Sequence, residues 1–230
     1  GPQTIPSPPM SSTDEPHPHD RVARFALGPF MTNCYVLRGV DDASCWIIDA
    51  GLGPDVLIDH VRSSGLEPRG VILTHAHADH IGGLDDVREA FPGVPVSIHP
   101  EEAPWLDDPE SNLSNNFGLP MRFAPAERTI EQGDTLGLAG EEWGVLHTPG
   151  HSPGSVSLYN AELGICFAGD TLFHGSIGRF DFPTSDGARL FASIREKLYT
   201  LPDTTLVLPG HGPETMIEYE KLTNPHVRPE

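Results

Sequence analysis

The chain of 230 residues contains no apolar run approaching the roughly 20 residues that a membrane-spanning helix needs, so no membrane partner is expected. Basic side chains are scarce. Fourteen Lys and Arg stand against 33 Asp and Glu, giving a net charge of −19 with His neutral. That balance supplies no basic footprint for nucleic acid and repels anionic surfaces. Cysteine is also scarce: Cys34, Cys45 and Cys166 are odd in number and widely spaced, with no Cys-x-x-Cys pair. They read as buried reduced thiols of a cytoplasmic protein rather than as a catalytic thiol. The first twenty residues are rich in Pro, Ser, His and acid and lack an apolar signal region. Residues 1–20 are expected to be a disordered tail, with Gly1-Pro2 a cloning remnant, Met10 or an earlier methionine the natural start, and His17 and His19 bystanders. No second composition block and no repeat is evident, so residues 21–230 are read as one domain, whose core 37% hydrophobic residues can supply.

Histidine, by contrast, is concentrated. Residues 74–80 read Thr-His-Ala-His-Ala-Asp-His and follow the apolar run Val71-Ile72-Leu73. His75, His77, Asp79 and His80 place three imidazoles and a carboxylate within six residues, and these are the usual donors for zinc and neighbouring first-row metals. Three more apolar runs end in the same way. Residues 143–146 lead through Pro149-Gly150 to His151, residues 165–168 lead through Gly169 to Asp170, and residues 206–208 lead through Pro209-Gly210 to His211. Each is a buried-strand pattern, then a glycine turn, then a donor. The inventory suits two ions: His75, His77 and His151 could hold one, and Asp79, His80 and His211 the other. Asp170 could bridge them, because a carboxylate has two oxygens to share.

These stretches carry a resemblance. The chain resembles a metallo-β-lactamase-fold hydrolase, and most of all the short glyoxalase II-like (hydroxyacylglutathione hydrolase-like) members. The matching segments are Thr74 to His80, His147 to Ser155, Gly169 to Phe173, Gly175 to Arg179, Pro209 to Pro213 and the early stretch Gly28 to Tyr35. The resemblance implies an αββα sandwich with the metals at one edge, between the two sheets. It also implies a thioester hydrolase of the S-acylglutathione type, acting on a small molecule through a metal-bridging hydroxide. Two divalent ions are expected, zinc first, with iron or manganese admitted by the same donors. Asp79 is the expected catalytic residue, as a ligand and as the acceptor that orients the attacking group. Phe180 stands where the short members usually write threonine in Gly-Arg-Thr-Asp-Phe. A mononuclear-iron persulfide dioxygenase shares the fold and would use His77 or a neighbour, His151 and Asp170. A lactonase and a non-catalytic metal-binding interaction protein are further alternatives, and a homo-oligomer is left open.

Other residues have two readings each. Asp49 either fixes a ligand imidazole or caps its own turn, and Thr74 and Ser152 either brace the metal loops or do not. Arg179 either pairs with a substrate carboxylate through its planar fork or forms an internal ion pair with Asp181. His99, His147 and His174 are expected to pack or to hydrogen-bond behind the ligands, with His174 close enough to Asp170 to reach the cleft, and His60 and His226 to lie on the surface. Strands are expected over 22–27, 35–38, 45–48, 71–73 and 94–98, with helices over 55–63, 84–90 and 215–222. A further helix, capped by Ser185 or Asp186, should bury Leu190, Ile194 and Leu198. The proline-rich stretch 100–128 is expected to be a loop that shapes the substrate mouth.

Overall fold

Alternating burial along the strands determines how the layers stack. The computed structural model describes residues 18–230, with side chains from Asp20 onward. The tail expected over residues 1–20 lies outside the described residues up to position 17, as do Met10 and His17, and nothing is described of the His19 side chain.

The first sheet contains β1 (Val22–Leu27), β2 (Thr32–Arg38), β3 (Ser44–Ile48), β4 (Glu67–Ile72), β5 (Val96–Ile98) and β6 (Arg128–Thr129), hydrogen-bonded in that order. Its first three strands are antiparallel and the rest run parallel to β3. Parallel strands need crossovers. Helix α1 (Asp55–Ser63) provides the first, and α2 (Ala78–Ile81) with α3 (Leu84–Ala90) the second. The other sheet contains β7 (Thr135–Leu138), β8 (Glu141–His147), β9 (Val156–Asn160) and β10 (Ile165–Gly169). A separate hairpin follows, β11 (Leu172–Phe173) with β12 (Ser176–Ile177). Helix α4 (Gly187–Ser193) then runs into a π-helical turn, Ile194–Leu198. The strands β13 (Leu206–Pro209) and β14 (Thr215–Met216) complete the second sheet, in the order β14-β13-β10-β9-β8-β7, and α5 (Ile217–Thr223) follows.

Successive side chains of a strand point to opposite faces, and here both faces are apolar. Tyr35, Leu37, Trp46, Ile48 and Ile72 of the first sheet meet Trp143, Val145, Leu158, Phe167 and Leu208 of the second in one cluster between the sheets. Trp46 and Trp143 touch edge to face across that layer, with ring centroids 6.3 Å apart. The alternate residues Cys34, Val36, Cys45, Ile47 and Val71 face outward onto α1 and α3. Cys166, Ala168 and Val207 face the other way, onto α4, its π-helical extension and α5. Each fully buried Leu, Ile or Phe contributes roughly 1.5–3 kcal/mol, so two-faced strands commit the chain to four layers, αββα, as the resemblance implied. No helix among the described residues is long and apolar enough to cross a membrane.

Expectation and structure differ in several places. β2 begins at Thr32, β4 at Glu67 and β5 at Val96, and β6, β7, β9, β11 and β12 went unread. The expected helix over 215–222 is split, because Thr215 and Met216 pair with Val207 and Leu206 as an edge strand before α5 begins. Of the two caps considered for α4, Asp186 is the one used: its carboxylate accepts from the Arg189 N–H at 3.1 Å. The stretch 100–128 holds two 3₁₀ turns, Ala103–Asp107 and Ser114–Phe117.

Candidate metal centre

The loops that follow β4, β8, β10 and β13 all leave the carboxyl ends of their strands at one edge of the sandwich. Cross-links hold the two sheets together there. The Tyr35 hydroxyl donates to the Pro209 carbonyl at 2.7 Å, Asn33 Nδ2 donates to the same oxygen at 3.0 Å, and the Val156 N–H donates to the Thr74 carbonyl at 2.9 Å. Glycine makes the approach feasible. A Cβ on Gly210 would lie 2.1 Å from Asp170 Oδ1, and one on Gly150, at φ +141°, would lie 2.3 Å from the backbone of Leu190. Neither position has room for a side chain.

All seven expected donors arrive at this edge. His75, His77 and His151 form one group whose donor atoms lie within 4.8 Å of one another, and Asp79, His80, Asp170 and His211 form a second. Asp170 belongs geometrically to both. Its Oδ2 lies 3.1 Å from His80 Nε2, 3.4 Å from His211 Nε2, 3.5 Å from His151 Nε2 and 3.6 Å from His75 Nε2. His77 Nδ1 faces His151 Nε2 at 3.0 Å, and Asp79 Oδ2 lies 3.0 Å from His211 Nε2.

The opposite nitrogens of these rings are tied to the scaffold, which fixes their tautomers. His151 Nδ1 donates to the Arg179 carbonyl at 2.8 Å, and His211 Nδ1 donates to the Phe30 carbonyl at 3.1 Å. His80 Nδ1 donates to Asp49 Oδ2 at 2.9 Å. The Thr74 hydroxyl donates to Asp49 Oδ2 at 2.7 Å, so at its 3.0 Å contact with His75 it must accept from Nδ1. The Thr74 N–H also donates to Asp49, at 2.8 Å. Asp49 therefore holds His80 directly, and His75 through Thr74, with one carboxylate. Of its two readings, the one that fixes an imidazole describes its contacts.

Four ring nitrogens thus converge on one carboxylate oxygen, and those of His75 and His151, whose Nδ1 atoms carry the hydrogen, face it with lone pairs. Lone pairs facing an anion repel unless something positive lies between them. His75 Nε2, His77 Nε2 and Asp170 Oδ1 are moreover buried with no hydrogen-bond partner, and each such atom ordinarily costs about 1–3 kcal/mol. The donor set accordingly fits a pair of cations. Charge within the protein points the same way. Burial, followed by neighbouring imidazoles, holds His75 well below its ordinary pKa and brings His77 to about 3, while burial also lowers His151. These three imidazoles are neutral near pH 7, the form that binds a cation. In the second group burial opposes charge on His80, but Asp170, Asp79 and Asp49 outweigh it and raise the pKa well above its usual value. His211 rises to about 9 for the same reason: hydrogen bonds to Asp170 and Asp79 outweigh burial. Burial would raise Asp79 and Asp170, yet His80 and His211 hold both low. Two ionised carboxylates in one buried spot demand positive charge, and protons or metal ions can provide it.

A cavity of about 440 Å³ opens directly onto His77, Asp79, His151, Asp170 and His211. Its walls are Phe30, Leu113, Phe117, Phe173 and Phe182, with Arg179 at the rim. Leu113 and Phe117 come from the stretch expected to shape the mouth. Arg179 makes the internal pair, Nε to Asp181 Oδ1 and Nη2 to Oδ2, both at 2.9 Å, and lies 4.4 Å over the Phe182 ring. His99 and His147 stack on each other at 4.3 Å, as packing residues. His174 packs as well, its ring tilted against Tyr219 with centroids 5.0 Å apart, and it does not reach the cavity wall. Sequence reasoning missed the carbonyls of Phe30 and Arg179, Thr32, which donates to Asp79 Oδ2 at 3.3 Å, and Glu102. Backbone acceptors carry no residue-type signal, and Glu102 lies outside every metal motif.

Comparison with known proteins agrees with this geometry. The family described as the metallo-beta-lactamase superfamily matches residues 27–211. Hydroxyacylglutathione hydrolase GloC of Haemophilus influenzae is 36% identical, over 85% of this chain and 92% of that protein. Among solved structures, BLEG-1 B3 metallo-beta-lactamase is 42% identical with a TM-score of 0.84, over 89% of this chain and 98% of that one. TTHA1623, solved in a di-iron-bound form, is 38% identical with a TM-score of 0.79, over 89% of this chain and all of that one.

Proposed function

The chain belongs to the metallo-β-lactamase superfamily, and from that premise we propose that it is a binuclear metallohydrolase that cleaves thioesters, with S-acylglutathione the leading substrate class. The observation that carries this reading is the convergence of four imidazole Nε2 atoms, from both donor groups, on Asp170 Oδ2. His75, His77 and His151 would hold one ion, Asp79, His80 and His211 the other, and Asp170 would be shared. Zinc is the first choice for these donors, and iron or manganese also fits them. Bound ions would supply Lewis acidity, polarising a carbonyl and lowering the pKa of water from about 15.7 to about 7. The chain's own groups do the rest. Asp79, buttressed by Thr32, is assigned the orientation of the attacking water through its carboxylate. The phenylalanine walls exclude bulk water and strengthen every charge interaction within. Arg179 can turn from Asp181 to a substrate carboxylate at little cost, because both partners are about two-thirds exposed and such pairs are worth only about 0–1 kcal/mol.

The name of GloC supports a thioester substrate, and the di-iron form of TTHA1623 supports two ions at one site. Three buried free thiols support a reducing compartment, and the cytoplasm is assigned on that basis. The test pairs metal analysis of the purified protein with a substrate panel. We expect two ions per chain and thiol release from S-lactoylglutathione. Fully loaded protein that instead consumes oxygen with glutathione persulfide, or opens only a carbapenem or a lactone, would replace the thioester reading.

A further inference from the structure

Glu102 is a fully buried carboxylate with no cationic partner among the described residues. It sits in the turn after β5, where its own N–H donates to the His99 carbonyl at 3.0 Å. Three donors meet its two oxygens. The Ala76 N–H reaches Oε1 at 2.7 Å, while the Ser152 hydroxyl and the Gly154 N–H reach Oε2 at 2.6 and 2.7 Å. With its own hydrogen given to Glu102, the Ser152 oxygen accepts from the Ser155 hydroxyl at 2.7 Å, so the network closes. Ala76 lies between His75 and His77, and Ser152 follows His151. One loop leaves the first sheet and the other leaves the second. A single carboxylate therefore joins the two backbones that carry the three-histidine group. Three donors with no acceptor suit an ionised carboxylate, and they oppose the burial that pushes this carboxyl up to about 7. Gly154 fits against it closely, since a Cβ there would lie 2.9 Å from Glu102 Cγ and Oε2.

We propose that Glu102 is a positioning residue that sets the spacing of the His75–His77 loop against the His151 loop, and thereby the affinity of the three-histidine site for its ion. The inference rests on the reading that these histidines hold a metal. It does not require that the substrate be a thioester.

The experiment titrates metal-free protein with zinc against a chromophoric chelator to obtain two stepwise dissociation constants. The constant abolished by H75A marks the three-histidine site. E102Q preserves size but cannot accept on both sides, since one arm becomes an NH₂ facing other donors. We expect it to weaken the marked constant by about 10–100-fold, the range typical of groups that orient metal ligands, and the other constant by less than about threefold. S152A removes one donor of three and should weaken the same constant by a smaller factor. Unchanged constants in E102Q, or equal weakening of both, would overturn the proposal. If E102Q does not fold, S152A decides: an unaltered marked constant there also overturns it. Wild-type protein that binds no zinc would remove the metal reading itself, a result distinct from a normal wild type with an indifferent variant.

Discussion

Replacing Asp170 with asparagine keeps its volume and removes one charge from the point where both donor groups meet. In the metal-free protein, Asp170 Oδ2 lies 3.1 Å from His80 Nε2, whose ring carries a proton. A unit pair at that separation is worth about 5 kcal/mol at an effective dielectric of about 20. Breaking a buried pair from one side costs about 3–5 kcal/mol in measured cases. The two figures agree, and the lower bound of about 3 applies if His80 responds by releasing its proton. For a chain of this size 1 kcal/mol moves the thermal midpoint by about 2–4 °C, so metal-free D170N should melt roughly 6–20 °C lower than wild type. Metal binding should suffer more, because one side chain serves both groups. We expect neither ion to be retained through dialysis, with affinities more than about 100-fold weaker, beyond the roughly 10–100-fold loss seen for residues that merely orient ligands. Hydrolysis should fall in parallel. Differential scanning calorimetry, elemental analysis and a thiol-release assay read the three quantities. D170N protein that holds two ions at wild-type affinity and turns over normally would refute the shared-carboxylate argument.

Two further predictions follow from the same site. Metal-free protein should be most stable near pH 6.5, and less so on either side. His77 is depressed to about 3, so its contribution is complete above the unfolded value of about 6.5 and is lost as pH falls towards 3. His211 is raised to about 9, so its contribution is complete below about 6.5 and is lost as pH rises through 9. Thermal midpoints across pH 4–10, with and without zinc, test this, and a metal-free midpoint rising steadily from pH 6.5 to 9 would contradict it. Gly210→Ala should displace Asp170, since the new Cβ would lie 2.1 Å from Oδ1. Overpacking costs about 1–3 kcal/mol, hence roughly 2–12 °C, and metal content should drop below two ions per chain. Gly144→Ala, whose nearest neighbour is the Tyr159 carbonyl at 3.8 Å, is the matched control and should keep both. Two ions bound in G210A would show that Asp170 has room to move.

The donors were legible one at a time because each stands at the end of an apolar run, after a turn. His75 to His80 announce themselves by density. His151, Asp170 and His211 are single residues whose positions after Pro-Gly or Gly gave them away. Strands with apolar residues on one face only would have been easier to bound. Here both faces of β2, β3 and β10 are buried, so periodicity fades and the start of β2 slipped, while β4 opens on the exposed or half-buried Glu67, Pro68 and Arg69, which carry no apolar signal. β14 was read as helix because its two residues take their conformation from pairing with β13 rather than from their own propensity.

Residue type and order alone dictated which side chains could bind a cation, that the chain carries strong negative charge, and that short buried apolar runs precede the donors. They did so because ligand chemistry and hydrophobicity belong to individual residues. Tertiary structure alone decided that four Nε2 atoms meet at Asp170, that the carbonyls of Phe30 and Arg179 fix two tautomers, and that Glu102 reaches Ala76 and Gly154 from a distant turn. Those contacts depend on distances between segments up to 181 positions apart. Only the packing of one sheet on the other sets such distances.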